Sequence, residues 1–241
     1  MKKLWLSESM ISRSFWQELE GSSKVTEAKM DSQIVADLTS PLVERFPSVA
    51  GSISLESSFY LWLITRYFSP KNICEIGTYI GRSTLIMSTA CGDSLEAIYT
   101  CDGTYDCMDF SVVSDSKFSK LKILNCEKIS YFGKTMSTEM LRKLQEKNIK
   151  IDFCFIDGRI SNEDCVLLGQ VLTDDAVFVV DDFEGVEKGV VNVMMLRNKF
   201  AGHVLLEPPV LKDRRERLNF SLMVPAKILS ISRQQSLPVS M

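Results

Sequence analysis

The stretch that most constrains this chain is Asn72 to Thr84, which reads NICEIGTYIGRST. An apolar run, Ile73, Cys74 and Ile76, meets two glycines, Gly77 and Gly81. Arg82-Ser83-Thr84 then opens a second apolar run, Leu85-Ile86-Met87. This order predicts a buried strand, a tight glycine turn and a helix N-terminus. Without a Cβ, residue 77 can bend the chain sharply, and residue 81 lets a ligand or a strand approach the backbone. A helix start also presents unpaired N–H groups and a partial positive charge, so the turn suits an anionic or nucleotide-like group.

The rest of the chain alternates strands with helices. Residues 54–68 are apolar on nearly all sides, which suits a helix buried against a sheet and stopped by Ser69-Pro70. Short strand-like runs follow at 72–76, 97–101, 121–124, 151–156 and 176–180. Between them, Cys165, Leu168 and Leu172 share one helical face, and Val186, Val190, Val193 and Met194 share another. Two last strands, 203–206 and 219–223, are joined by the Pro-rich and charged PPVLKDRRER, which favours an antiparallel hairpin at the sheet edge. The expected fold is α/β: a Rossmann-like, doubly wound, seven-stranded sheet, mostly parallel, with that C-terminal edge hairpin and N-terminal helices. Ligands then bind at the carboxyl ends of the strands, near the switch point beside the first strand.

Residues 1–50 read as a helical extension, with Ile11, Phe15 and Leu19, then Ile34, Leu38 and Leu42, at helical spacing. Residues 51–226 form the main domain and 227–241 a tail. The extension either packs on the core, caps the substrate side or makes a homodimer contact, the last motivated by apolar Trp5, Phe15 and Trp16.

Hydrophobic residues make up 45% of the 241, enough for a full core. Lys and Arg number 28 against 31 acids, so nothing argues for a nucleic-acid partner. The seven cysteines form no CxxC pair and read as small hydrophobes in a reducing cytoplasm. The start, MKKLWLSESM, lacks a signal-peptide core, and the longest uncharged apolar segment, 57–65, is too short to span a bilayer. The expectation is a cytoplasmic protein with no membrane partner.

Glycine spacing separates cofactor classes. A dinucleotide site needs GxGxxG so that pyrophosphate can rest on the second glycine. Here the pattern is Glu75-x-Gly77-x-x-x-Gly81, with Tyr79 at the second glycine's place, which disfavours pyrophosphate. EIGTYIGRST resembles the first motif of class I S-adenosylmethionine-dependent methyltransferases, specifically the catechol and caffeoyl-CoA O-methyltransferases and their small bacterial relatives, with motifs in order over residues 54–224. The resemblance implies that Glu75 and the turn backbone at Gly77, Thr78, Tyr79 and Gly81 hold the methionine end of S-adenosylmethionine. It implies that Ser83 helps bind its carboxylate and that Asp102, 27 residues after Glu75, grips the ribose hydroxyls. A carboxylate there can accept two hydrogen bonds from a vicinal diol. Residues 125–127, after the expected third strand, are placed near the adenine by position.

Asp157 ends the fourth strand and Asp181-Asp182 the fifth, so all three converge on one rim, beside the cofactor's methyl group. Three such carboxylates repel one another unless protonated or neutralised, and Mg²⁺ takes oxygen ligands in this manner. In the resembling family these positions bind a metal, and the Asp-Asp form is similar to the macrolide and aminocoumarin sugar O-methyltransferases. One of the pair could instead cap the helix starting near Gly185. A metal chelated by neighbouring acceptor oxygens would orient a hydroxyl and lower its pKa.

Where relatives read DGxHSYE, this chain reads DGRISNE, so Ile160 replaces a histidine. The single histidine, His203, lies in an edge strand and reads as structural. Lys188 and Arg159 lie near the rim, either assisting or solvated, and the general base is unassigned. The expected activity is metal-assisted methyl transfer to a hydroxyl of a sugar or small natural product. A metal-free methyltransferase and a non-catalytic cofactor-binding protein are the alternatives, and a nicotinamide oxidoreductase is disfavoured by Tyr79.

Overall fold

A computed structural model describes residues 13–19, 53–104, 126–183, 186–207 and 219–229. Its helices are α1 (residues 13–19), α2 (Leu55–Phe68), α3 (Arg82–Cys91), α4 (Ser137–Glu146), α5 (Asn162–Val171) and α6 (Val191–Lys199). The strands are β1 (Asn72–Ile76), β2 (Ala97–Asp102), β3 (Ile129–Gly133), β4 (Ile151–Ile156), β5 (Leu172–Val180), β6 (His203–Leu206) and β7 (Ser221–Pro225). They form one seven-stranded sheet in the order β3-β2-β1-β4-β5-β7-β6. Only β7 runs against its neighbours, pairing antiparallel with β5 and β6. The chain winds outward from β1 through β2 to β3, then crosses back to β4. The crevice between the ends of β1 and β4 is therefore the topological switch point.

The central strands are buried because helices cover both faces, and side chains alternate between two cores. In β4, Phe153 and Phe155 join Ile73, Ile86, Trp62 and Val179 under α2 and α3. Cys154 and Ile156 point the other way, to Cys74, Leu141, Leu168, Phe178 and Leu196 under α4, α5 and α6. Ser54 caps α2, its side-chain oxygen accepting from the Ser57 N–H at 3.0 Å, and Ser69 ends it with φ 49°. The five cysteines whose side chains are described are free and buried.

Several expectations change. The third strand of the sheet is 129–133; the run 121–124 lies outside the described residues, as do Trp5, Ile11, Ile34, Leu38 and Leu42. Leu172 is the first residue of β5 rather than the last of a helix, and Met194 is 61% exposed rather than on the buried face of α6. Phe15 and Trp16 are spent inside this chain. Phe15 stacks on Phe68, Trp16 meets Tyr60 and Phe220, and the Trp16 indole N–H donates to the Glu207 carbonyl at 2.6 Å. Both side chains are buried in this chain's own core. His203 is structural: it lies at the entry end of the sheet, with Nε2 2.9 Å from the Ala176 carbonyl, between the rings of Phe178 and Phe200. Burial lowers its pKa. Among the described residues, no helix is long and apolar enough to cross a membrane.

Candidate functional site

The exits of β1, β2 and β4 are laced together by backbone hydrogen bonds. The Gly77 N–H donates to the Cys101 carbonyl at 2.9 Å, and the Ile76 carbonyl accepts from Asp157 N–H at 2.9 Å and Gly158 N–H at 2.7 Å. Gly77 has φ 101°, and a Cβ there would lie 2.8 Å from the Gly158 nitrogen, so both conformation and space require glycine. Beyond it Tyr79 takes φ 44°, which turns its N–H onto Asp102 Oδ2 at 2.8 Å. The Thr104 N–H donates to Asp102 Oδ1, also at 2.8 Å. The Asp102 carboxylate is thus held from both sides by backbone at the rim.

Glu75 points the other way. It is wholly buried, with Oε1 accepting from the Ser83 hydroxyl and Oε2 from those of Thr84 and Thr100, each at 2.5 Å. The Thr78 hydroxyl lies 2.6 Å from that of Thr100 and extends the network. Burial raises the Glu75 pKa to about 7, against the pull of its hydroxyl donors. Glu75, Ser83 and Thr78 therefore form a polar brace behind the glycine turn, and Gly81, with φ 75°, starts α3 beside them.

In front of the turn is a cleft of about 360 Å³, lined among others by Gly77, Tyr79, Asp102, Met136, Asp157 and Lys188. Of the expected cofactor-binding residues, it brings together Gly77, Tyr79, Asp102 and Asp157, while Glu75, Thr78, Gly81 and Ser83 lie off its wall. Residues 126–128 are a turn entering β3, whose Ile129 pairs with Ile98 near the start of β2, so 126 and 127 lie away from the cleft rather than near the adenine; Asn125 lies outside the described residues. The wall is instead built by residues after β3. Gly133 pairs with Asp102, the Thr135 N–H donates to the Asp102 carbonyl at 3.1 Å, and this sets Met136 and Ser137 on the cleft. Met136 is 65% exposed.

Asp157, Asp181 and Asp182 do converge, but not as an open ligand set. Lys188 enters from a π-helical turn, Val186–Val190, and its Nζ lies 2.6 Å from Asp157 Oδ1 and also pairs with Asp182 Oδ2. Burial raises Asp157 to about 6, a rise its bond to Lys188 limits. Burial, reinforced by the charges of Asp157 and Asp182, pushes Asp181 up to about 8. Burial alone would lower the Lys188 pKa, but the two carboxylates outweigh it and raise the ammonium's pKa. A Mg²⁺ ion needs its carboxylate oxygens at about 2.1 Å, and the ammonium takes that space. The arrangement does not fit the expected metal. Among the described residues, no group of three or more His, Cys, Asp or Glu is set to hold one. The sequence left Lys188 undecided between solvent and site; the structure puts it in the site, whereas Arg159 lines the cleft but is exposed. Ile160, in the histidine's place, is buried and supplies no base.

The strand order and the glycine turn at the switch point define a Rossmann-like fold. Residues 74–183 match the model of the methyltransferase-domain family. Solved structures share the fold. The O-methyltransferase TomG of Streptomyces achromogenes, involved in tomaymycin synthesis and in complex with SAM, is 15% identical with a TM-score of 0.55, over 79% of this chain and 88% of that one. An O-methyltransferase of Bacillus cereus in complex with SAH is 16% identical with a TM-score of 0.53, over 85% and 90%. An SAH-bound methyltransferase of Podospora anserina is 15% identical with a TM-score of 0.51, over 79% and 87%. No curated protein matches the chain by sequence.

Proposed function

We propose that this chain transfers a methyl group from S-adenosylmethionine to a hydroxyl of a small molecule. The observation that carries this reading is Asp102: a carboxylate at the cleft, oriented by the Tyr79 and Thr104 N–H groups beside the Gly77 turn. A carboxylate only accepts hydrogen bonds, which suits the two hydroxyls of a ribose. Met136 and Ser137, next to Asp102, then flank the base. Gly77 leaves room on the wall where the methionine portion passes, and Asp157 and Lys188 close the far side. Bound there, S-adenosylmethionine would supply an activated methyl to the acceptor oxygen, the S–CH₃ electron pair staying on sulfur and the hydroxyl proton passing to solvent.

The protein's part is to hold the acceptor oxygen in line and to keep water out. A hydroxyl as acceptor is supported by O-methyltransferases sharing the fold, two of which carry SAM or SAH in their structures. Between the carboxylates of Asp157 and Asp182, where Mg²⁺ was expected, stands the Lys188 ammonium. A cytoplasmic setting agrees with the buried, free cysteines.

Thermal unfolding tests the cofactor class. S-adenosylhomocysteine at 100 times its Kd stabilises the fold by about 2.7 kcal/mol, raising Tm by roughly 5–10 °C. NAD at the same concentration leaves Tm unchanged. A rise with NAD and none with S-adenosylhomocysteine overturns the reading.

A further inference from the structure

We propose that Lys188 is the resident cation of the acidic site: its ammonium stands where a divalent ion would bridge Asp157 and Asp182, and it holds the acceptor oxygen in that ion's stead. Its role toward the acceptor rests on the methyltransferase reading; the exclusion of metal does not.

The placement is built by several elements. Gly189 packs so tightly that a Cβ would lie 2.4 Å from the Asp181 carbonyl oxygen and from the carbonyl carbon and oxygen of Asp182. Only glycine lets the π-helical turn lie on the backbone of the acidic pair, and that seat brings the neighbouring Lys188 to both carboxylates. Asp182 adopts φ 55°, a left-handed conformation that Asp tolerates, and its Oδ1 accepts from Asn219 Nδ2 at 3.0 Å. The other oxygen, Oδ2, meets Lys188. One helical turn beyond Lys188, Asn192 donates to the Gly158 carbonyl at 2.9 Å and accepts from the Ile160 N–H at 3.3 Å, which ties the loop after Asp157 to the same helix. The Lys188 side chain is 25% exposed and lines the cleft. An ammonium has three donors, and among the described residues two are given to Asp157 and Asp182. The third is available to an oxygen in the cleft, the service a metal's open coordination position would otherwise provide.

A single flexible ammonium thus pairs with both carboxylates and occupies the space between them that an ion from solution would otherwise take. The test uses Mn²⁺ alone as probe, on the full chain, with thermal unfolding and calorimetric titration. The wild type shows no Tm change and no saturable heat up to millimolar Mn²⁺. Lys188→Met frees the carboxylates, so Mn²⁺ binds at least tenfold more tightly than to the wild type and raises Tm. Because the readout is a metal-dependent gain in Tm, it works even if the variant starts less stable. Lys188→Arg retains a cation and remains insensitive to Mn²⁺. Saturable Mn²⁺ binding by the wild type overturns the proposal, as does a folded Lys188→Met that gains none. Titrating the same samples with S-adenosylhomocysteine separates the two readings: its failure to bind the wild type counts against the cofactor assignment and leaves the metal result standing.

Discussion

Glu75 lies in the motif where an acid was expected to hold ligand, yet its carboxylate faces inward to the hydroxyls of Ser83, Thr84 and Thr100. Sequence gave the residue type but not its direction, because the apolar run around it says the strand is buried, and a buried acid must find donors. Those donors, Ser83, Thr84 and Thr100, were visible only as ordinary polar residues of a helix start and a strand. The brace has a titration signature. Glu75 is raised from 4.5 to about 7, so between those values the folded chain keeps a proton that the unfolded chain has released. Its contribution to stability is whole below pH 4.5 and falls as pH rises through about 7. The full change is about 3 kcal/mol, from 1.36 kcal/mol per pKa unit. Urea unfolding of the wild type and Glu75→Gln between pH 4.5 and 8 should give a stability difference that moves against the wild type by this order. A difference that stays flat with pH would place the Glu75 pKa near its ordinary value.

At the scale of elements, the central strands were legible because burial on both faces writes near-continuous apolar runs. The bounds of β1, β4 and β6 match the expectation to the residue. The sheet's outer strand β3 was missed because it is only half-buried, and Ile-Ser-Tyr-Phe-Gly carries a weaker pattern than the more apolar 121–124. The π-helical turn that delivers Lys188 has no sequence signal apart from Gly189, whose close packing becomes apparent only in three dimensions. Helix α1 was expected in an extension before residue 51, yet Phe15, Trp16 and Leu19 belong to the same core as α2 and β7. Trp16→Ala should therefore cost about 3–5 kcal/mol, as for a large aromatic removed from a core, read from the urea midpoint at constant m. A loss below about 0.5 kcal/mol, the range of surface substitutions, would make α1 an appendage.

At the scale of the whole molecule, the topology brings the ends of β1, β2, β4 and β5 to one rim, where the cleft opens. The fold class followed from strand and helix alternation, and Asp102 from the resemblance to the methyltransferase motifs. The cleft residues after β3, Met136 and Ser137, did not, since the element preceding them was misplaced. Isothermal titration of the protein with S-adenosylhomocysteine, beside Asp102→Ala, tests the cofactor site most directly. Binding on the order of -8 kcal/mol, a micromolar Kd, that weakens at least tenfold in the variant is the expected result. No binding by the wild type, or equal binding by Asp102→Ala, contradicts it.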